Sequence, residues 1–120
     1  ATFNRHVTNR LTGRLATRLP GFGVVLHDGR RSGRHYRTPV NVFPVANGYV
    51  MALTYGSGAD WVKNVLAANG CEVVTRGRTE RLASPRLIHD ESATPVPAAV
   101  RPILRRLHVS EFLELSRAAA

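Results

Sequence analysis

Val24-Val25-Leu26-His27 runs into Asp28-Gly29-Arg30-Arg31-Ser32-Gly33. An extended run then reaches from Arg37 to Val45, and Asn47-Gly48 leads into Tyr49-Val50-Met51-Ala52-Leu53-Thr54-Tyr55. The three apolar segments are short and rich in β-branched side chains, the composition of strands rather than of helices. Turns containing glycine separate them. Asp28-Gly29, closed by Gly33, and Asn47-Gly48 are hairpin signals, because tight turns need backbone angles that glycine and asparagine adopt cheaply. Pro39 and Pro44 have no N–H to offer a second neighbour, so the middle strand belongs at an edge or a bulge. Sequential strands joined by hairpins predict an antiparallel sheet.

Downstream, Gly56-Ser57-Gly58 breaks the third strand. Ser57 and Asp60 have capping-box spacing ahead of a helix that carries Trp61, Val62, Val65 and Leu66, and Asn69-Gly70 stops it. Cys71 to Thr75 and Thr79 to about His89 form a second hairpin around Arg76-Gly77-Arg78, with a break at Ser84-Pro85. Asp90 to Pro97 reads as a linker. Val100, Ile103, Leu104 and Leu107 have helical spacing, and Glu111 to Leu115 is a last strand or a helical turn. The mid-chain helix is not repeated, which argues against a doubly wound fold. The fold class is α+β, mainly β: an antiparallel sheet or small barrel with helices packed outside. Upstream, Phe3, Val7, Leu11, Leu15 and Leu19 recur at every fourth position, with Arg5, Arg10, Arg14 and Arg18 between them. This predicts an amphipathic helix over residues 1–20, ended by Pro20-Gly21, ahead of a barrel over 21–120 in a single-domain chain. Such a helix either packs on its own barrel or meets a membrane surface through residues 1–19.

At 120 residues the chain is one domain in size, and 43% hydrophobic against 21% charged residues excludes wholesale disorder. Neither a membrane-spanning run nor a secretory leader is read, and a single cysteine, Cys71, rules out an intrachain disulfide, so a cytoplasmic protein is expected. Seventeen basic residues against eight acidic ones give a net charge of +9. Sixteen of the seventeen are arginines, whose planar fork suits phosphate and carboxylate, so an anionic partner is expected.

Two constellations carry chemistry. In Gly29-Arg30-Arg31-Ser32-Gly33 the glycines permit a tight loop whose successive N–H groups can face one anion, with arginine charge and a serine hydroxyl beside them. An ordinary solvated hairpin turn has the same composition. The second is Thr54-Tyr55-Gly56-Ser57-Gly58-Ala59-Asp60-Trp61 with Asn64 beyond: a strand end, a glycine loop and a helix N-terminus. Unpaired N–H groups there meet an anion or a carbonyl, and a flat ring flanks a flat ligand or joins the core. The five histidines lack metal-ligand spacing, Ser57 lacks the context of a nucleophile elbow, and Gly56 and Gly58 do not open a dinucleotide fingerprint.

Gly29 to Gly33, Thr38-Pro39, a strand ending in Thr54, the Gly/Ser loop, and Trp61 and Asn64 in the following helix together resemble the deazaflavin-dependent nitroreductase family of actinobacteria, relatives of the split-barrel flavin reductases. The resemblance runs from about Pro20 to Leu115. It implies a split β-barrel of antiparallel strands with flanking helices. It also implies coenzyme F420, a deazaflavin with a phosphate and a polyglutamate tail, as cofactor, with FMN second. By the same resemblance Arg30, Arg31 and Ser32 form the anion-binding turn, and Gly33 and Thr38 also bind the cofactor. Thr54, Gly56, Ser57 and Gly58 border the ring, and Trp61 and Asn64 lie on the helix beside it. The reaction implied is hydride transfer from the reduced cofactor to a small apolar organic acceptor such as a quinone, enone or nitro compound. Tyr55 and Ser57 are the candidate catalytic donors. A split barrel also allows a homodimer. Two other classes compete: a non-enzymatic barrel that carries a lipid, another apolar ligand or the cofactor itself, and a basic module for nucleic acid or membrane. The basic residues are not interleaved with aromatics, which speaks against nucleic acid.

Overall fold

The computed structural model describes residues 21–118. The helix expected over residues 1–20, with its membrane contact, lies outside the described residues. Six strands, β1 (Phe22–Asp28), β2 (His35–Val45), β3 (Gly48–Ala52), β4 (Gly70–Thr75), β5 (Arg78–His89) and β6 (Glu111–Arg117), alternate with two helices, α1 (Asp60–Ala68) and α2 (Arg101–Arg106). All pairings are antiparallel, and the order β1-β2-β3-β6-β5-β4 closes into a barrel because β4 returns to β1. The α+β, mainly β reading and the barrel both hold, and the segment from Glu111 is a strand.

Strand alternation divides the apolar residues into two layers. Val25, Val42, Tyr49, Met51, Val73, Leu82, Leu113 and Leu115 cluster with Val62 and Val65 of α1 and with Leu53. Phe43, Val50, Ala52 and Phe112 point the other way and are covered by Ala93, Val96, Leu104 and Val109. Every residue of β3 is buried for this reason. The strand needs Gly48, where a Cβ would stand 2.0 Å from the Leu115 carbonyl oxygen.

Two features position the site. The first half of β2 pairs with β1 as far as Phe22↔Asn41, and the second half pairs with β3 from Asn41↔Ala52 onward. Each half has one strand neighbour, so Pro39 and Pro44 sit at local edges. β3 stops at Ala52, three residues before the expected Tyr55, because the chain turns through Gly56 at φ 83°. Among the described residues Thr38 to Val40 have no strand partner on that side, and the barrel wall is notched there.

The second feature is the start of α1. Its N-cap is Ala59, with extended angles and no side-chain cap, so the capping box expected from Ser57 does not form. The Ser57 backbone N–H instead donates to Glu111 Oε1 at 3.0 Å, which ties the glycine loop to β6. The helix ends as expected at Asn69, left-handed at φ 57°. The break at Ser84-Pro85 is a bulge with Ser84 at φ 57° and a register shift between Ala83 and Arg86.

Candidate functional site

The β1–β2 turn folds on itself before it meets any ligand. Gly29 N–H donates to the Arg34 carbonyl at 2.8 Å, Gly33 N–H to the Gly29 carbonyl at 2.9 Å, and Arg34 N–H to Ser32 Oγ at 3.2 Å. Gly33 stands at φ 72°, a conformation costly for any other residue, and a Cβ on Gly29 would lie 2.6 Å from Ser32 Oγ. The Arg30 N–H is also taken, by Asn64 Oδ1 at 3.1 Å. Among the described residues only the Arg31 and Ser32 N–H groups of the turn have no partner, so its backbone offers an anion less than its composition suggests.

Arg30 is a strut. Its Nη1 donates to Asn64 Oδ1 at 2.8 Å and its Nη2 reaches Asp60 Oδ1 at 3.4 Å, which leaves the side chain 25% exposed and pins the turn to the first turn of α1. Arg31 is exposed and has no acidic partner among the described residues. Arg37 is part-buried, and its Nε is wholly buried with no hydrogen-bond partner among the described residues. A buried donor left unpaired costs roughly 1–3 kcal/mol of stability.

Asn64 is buried, and its amide leads to a residue that sequence patterns did not single out. Since Asn64 Oδ1 accepts two N–H groups from Arg30, its Nδ2 is the atom 3.1 Å from His27 Nδ1. His27 Nδ1 therefore accepts, and Nε2 carries the proton toward Thr38 Oγ1 at 2.8 Å. His27 is 8% exposed and stacks on Tyr36, ring centroids 5.6 Å apart. It continues the inward-facing row of β1 beyond Val25. Burial pushes its pKa below the ordinary 6.5, although neighbouring Asp28 pulls the other way. As pH falls below 6.5 the unfolded chain takes up a proton that the folded chain resists, so the stability linked to neutral His27 is present above that value and lost below it. Denaturant unfolding should show stability falling from pH 7.5 to pH 5, by less in His27→Gln than in the parent.

Of the cavities that open on these residues, two take in the candidate residues read from sequence. One, of roughly 570 Å³, is lined by His27, Gly29, Arg30, Arg31, Ser32, Tyr36, Arg37, Thr38, Asp60, Trp61 and Asn64. The other, of roughly 580 Å³, fills the notch beside β2 and is mainly apolar, with Phe22, Pro39, Val40, Leu53 and Ala59 in its wall and Thr54, Tyr55 and Gly56 at the glycine loop. Thr38 and Trp61 line both. Of the residues singled out from sequence, Arg30, Arg31, Ser32, Thr38, Trp61 and Asn64 meet in the first cavity, and Thr38, Thr54, Tyr55, Gly56 and Trp61 in the second. Gly33 shapes the turn without lining it, and Ser57 and Gly58 line neither cavity. Tyr55 is 92% exposed at the rim. His27, Tyr36 and Arg37 were missed. The signal for His27 and Tyr36 was the hairpin register, which sets Tyr36 opposite His27 and Thr38 opposite Val25.

A family model described as F420H(2)-dependent quinone reductase matches residues 2–112. The chain belongs to the F420H(2)-dependent quinone reductase family. It is an oxidoreductase, and its cofactor is coenzyme F420. Two solved structures share the fold. One, described as an F420-H2 dependent reductase, has a TM-score of 0.60 at 16% identity and covers 80% of this chain and 94% of its own. Another, described as a domain-swapped dimer, has a TM-score of 0.55 at 16% identity and covers 93% of this chain and 96% of its own. No curated protein matches the chain. For an F420-dependent reductase the residues fit: arginine side chains suit an anionic group at one end, and the Trp61 indole, where that cavity meets an apolar notch, suits a flat ring. Among the described residues no helix is long and apolar enough to cross a membrane.

Proposed function

We propose that the arginine-lined cavity holds the anionic part of coenzyme F420, that its ring lies at the junction beside Trp61 and Thr38, and that the apolar notch admits a conjugated acceptor, a quinone or enone before a nitro compound. The observation that carries this reading is the meeting of an arginine-bearing cavity with a mainly apolar one at Thr38 and Trp61. When bound, the cofactor supplies the hydride; the protein supplies binding, orientation and donors for developing negative charge. Arg31 brings an uncommitted guanidinium and Arg37 lines the same cavity, while Arg30 and Asn64 hold the turn in place. The notch, walled by Phe22, Pro39, Val40 and Leu53, excludes water and selects apolar acceptors by area rather than by hydrogen bonding.

Tyr55 is the acceptor's cover on this reading. A large aromatic ring left 92% exposed at the rim of an apolar cavity gains most when a second flat molecule lies against it. Tyr55→Ala should raise KM for bulky naphthoquinones severalfold, with little change in F420 affinity or in turnover of small benzoquinones. Steady-state oxidation of reduced F420 across a panel of quinones, enones and nitro compounds tests the assignment. Tight cofactor binding with no turnover of any of them would favour a carrier instead.

A further inference from the structure

We propose that His27 is a positioning residue of this reductase: through a fixed tautomer it makes the Thr38 hydroxyl a hydrogen-bond donor at the junction of the two cavities, directed at an accepting atom of the ring bound there. The proposal rests on the reading of the cleft given above for the identity of that ring. Its chemistry follows from the donors alone. Arg30 offers Asn64 two N–H groups, so the amide oxygen must face the turn and the NH2 must face His27. An NH2 can only donate, so His27 Nδ1 is bare and the proton sits on Nε2, 2.8 Å from Thr38 Oγ1. Thr38 Oγ1 accepts that proton's hydrogen bond, and its own hydroxyl hydrogen has no partner among the described residues. Thr38 lines both cavities, so a ligand atom at their junction can take the free hydrogen. A threonine without the relay would be free to accept as readily as donate.

The same chain makes the site sensitive to acid. A proton on Nδ1 sets two donors face to face across the 3.1 Å contact with Asn64, and relief requires the amide to turn. Turning brings the NH2 against Arg30 and loosens the anion turn. The charged and titratable groups around His27 are Asp28 on its own strand, His35 and Tyr36 on β2, Arg37 beyond them, Arg30 and Arg31 in the turn, Asp60 on α1, Cys71 and Glu72 on β4, and Arg81 on β5. Asp28 is already bonded to His35 Nδ1 at 2.6 Å and Asp60 to Arg30, so neither carboxylate is given over to His27.

The test joins NMR of the free protein to F420 binding. In the ¹⁵N spectrum of the free protein, the histidine resonances lost in His27→Gln should show a neutral ring protonated on Nε2 at pH 7.5. On acidification the Arg30 and Asn64 amide signals should shift with the same midpoint as that ring. A ring protonated on Nδ1, or amides that ignore its titration, would overturn the relay whether or not F420 binds. In equilibrium titrations, His27→Phe and Thr38→Val should each weaken F420 about tenfold, the scale of one hydrogen bond, and the double variant should be no weaker than the worse single one. His27→Gln, which keeps an amide N–H near the Nε2 position, should retain most of the affinity at pH 7.5 and lose the decline toward pH 5. Additive losses in the double variant, or wild-type affinity in Thr38→Val, would overturn the proposal. A parent protein that bound no F420 would overturn the cleft reading, and the tautomer measurement would still decide the relay.

Discussion

Replacing Arg31 with alanine and Arg37 with methionine together is expected to weaken F420 binding by about 2–5 kcal/mol, the scale of losing two charge-assisted contacts to an anion. The free protein should be at least as stable as the parent. Arg31 is exposed and has no acidic partner among the described residues, so its loss costs the fold little. Arg37 holds a buried, unpartnered Nε, so an apolar replacement of similar length should add roughly 1 kcal/mol to stability. Opposite signs for binding and stability separate this reading from a structural one, in which both would fall. Arg30→Ala should behave differently. It removes the strut to Asn64 and Asp60, so melting temperature and affinity should decline together. Calorimetric titration and thermal unfolding of the three variants measure all of this.

The largest effect on folding is expected at Phe112. Its ring is fully buried on the outer face of β6, against the layer formed by Ala93, Val96, Leu104 and Val109. Phe112→Ala removes the contact surface of that layer and leaves a cavity, at a cost of about 3–5 kcal/mol. Ile103→Ala, on the exposed side of α2 at 59% exposure, should stay within about 0.5 kcal/mol of the parent. Urea unfolding of the pair checks whether the segment after β5 is part of the fold or a covering that can detach. Loss of signal from that segment alone in Phe112→Ala, with the barrel transition unchanged, would show that the two layers unfold separately.

Period-two alternation and glycine turns made β1, β2, β4 and β5 legible from sequence, and Asn47-Gly48 located the β2–β3 hairpin. The closure of the barrel was not legible, because pairing β4 with β1 is a contact between distant segments that no local pattern encodes. The end of β3 was misplaced because Leu53, Thr54 and Tyr55 have strand composition, yet Gly56 at φ 83° turns the chain and Leu53 N–H bonds to the Glu111 carbonyl at 2.9 Å. Ser57 failed as a cap for a related reason: Glu111 holds its N–H, and the helix starts later, at Asp60. The turn from Gly29 to Gly33 was read as a site-forming element with its arginines treated as equivalent, and the structure gives them different surroundings. One is a strut, the next is exposed, and the third cation, Arg37, lies on a strand. His27 looked like an ordinary strand residue until the register set it beside Tyr36 and the helix brought Asn64 to its Nδ1.

Trp61 is the only tryptophan in the chain, so its emission reports on one place, the shared wall of the two cavities. Titrating the protein with oxidised F420 while following that emission, with FMN as control, tests directly whether the cofactor lies at the junction. The expected result is saturable quenching at one F420 per chain, displaced to much higher concentration in the Arg31→Ala, Arg37→Met protein and with FMN. Binding of F420 seen by equilibrium dialysis with no change in Trp61 emission, or an affinity indifferent to the two arginines, would contradict it.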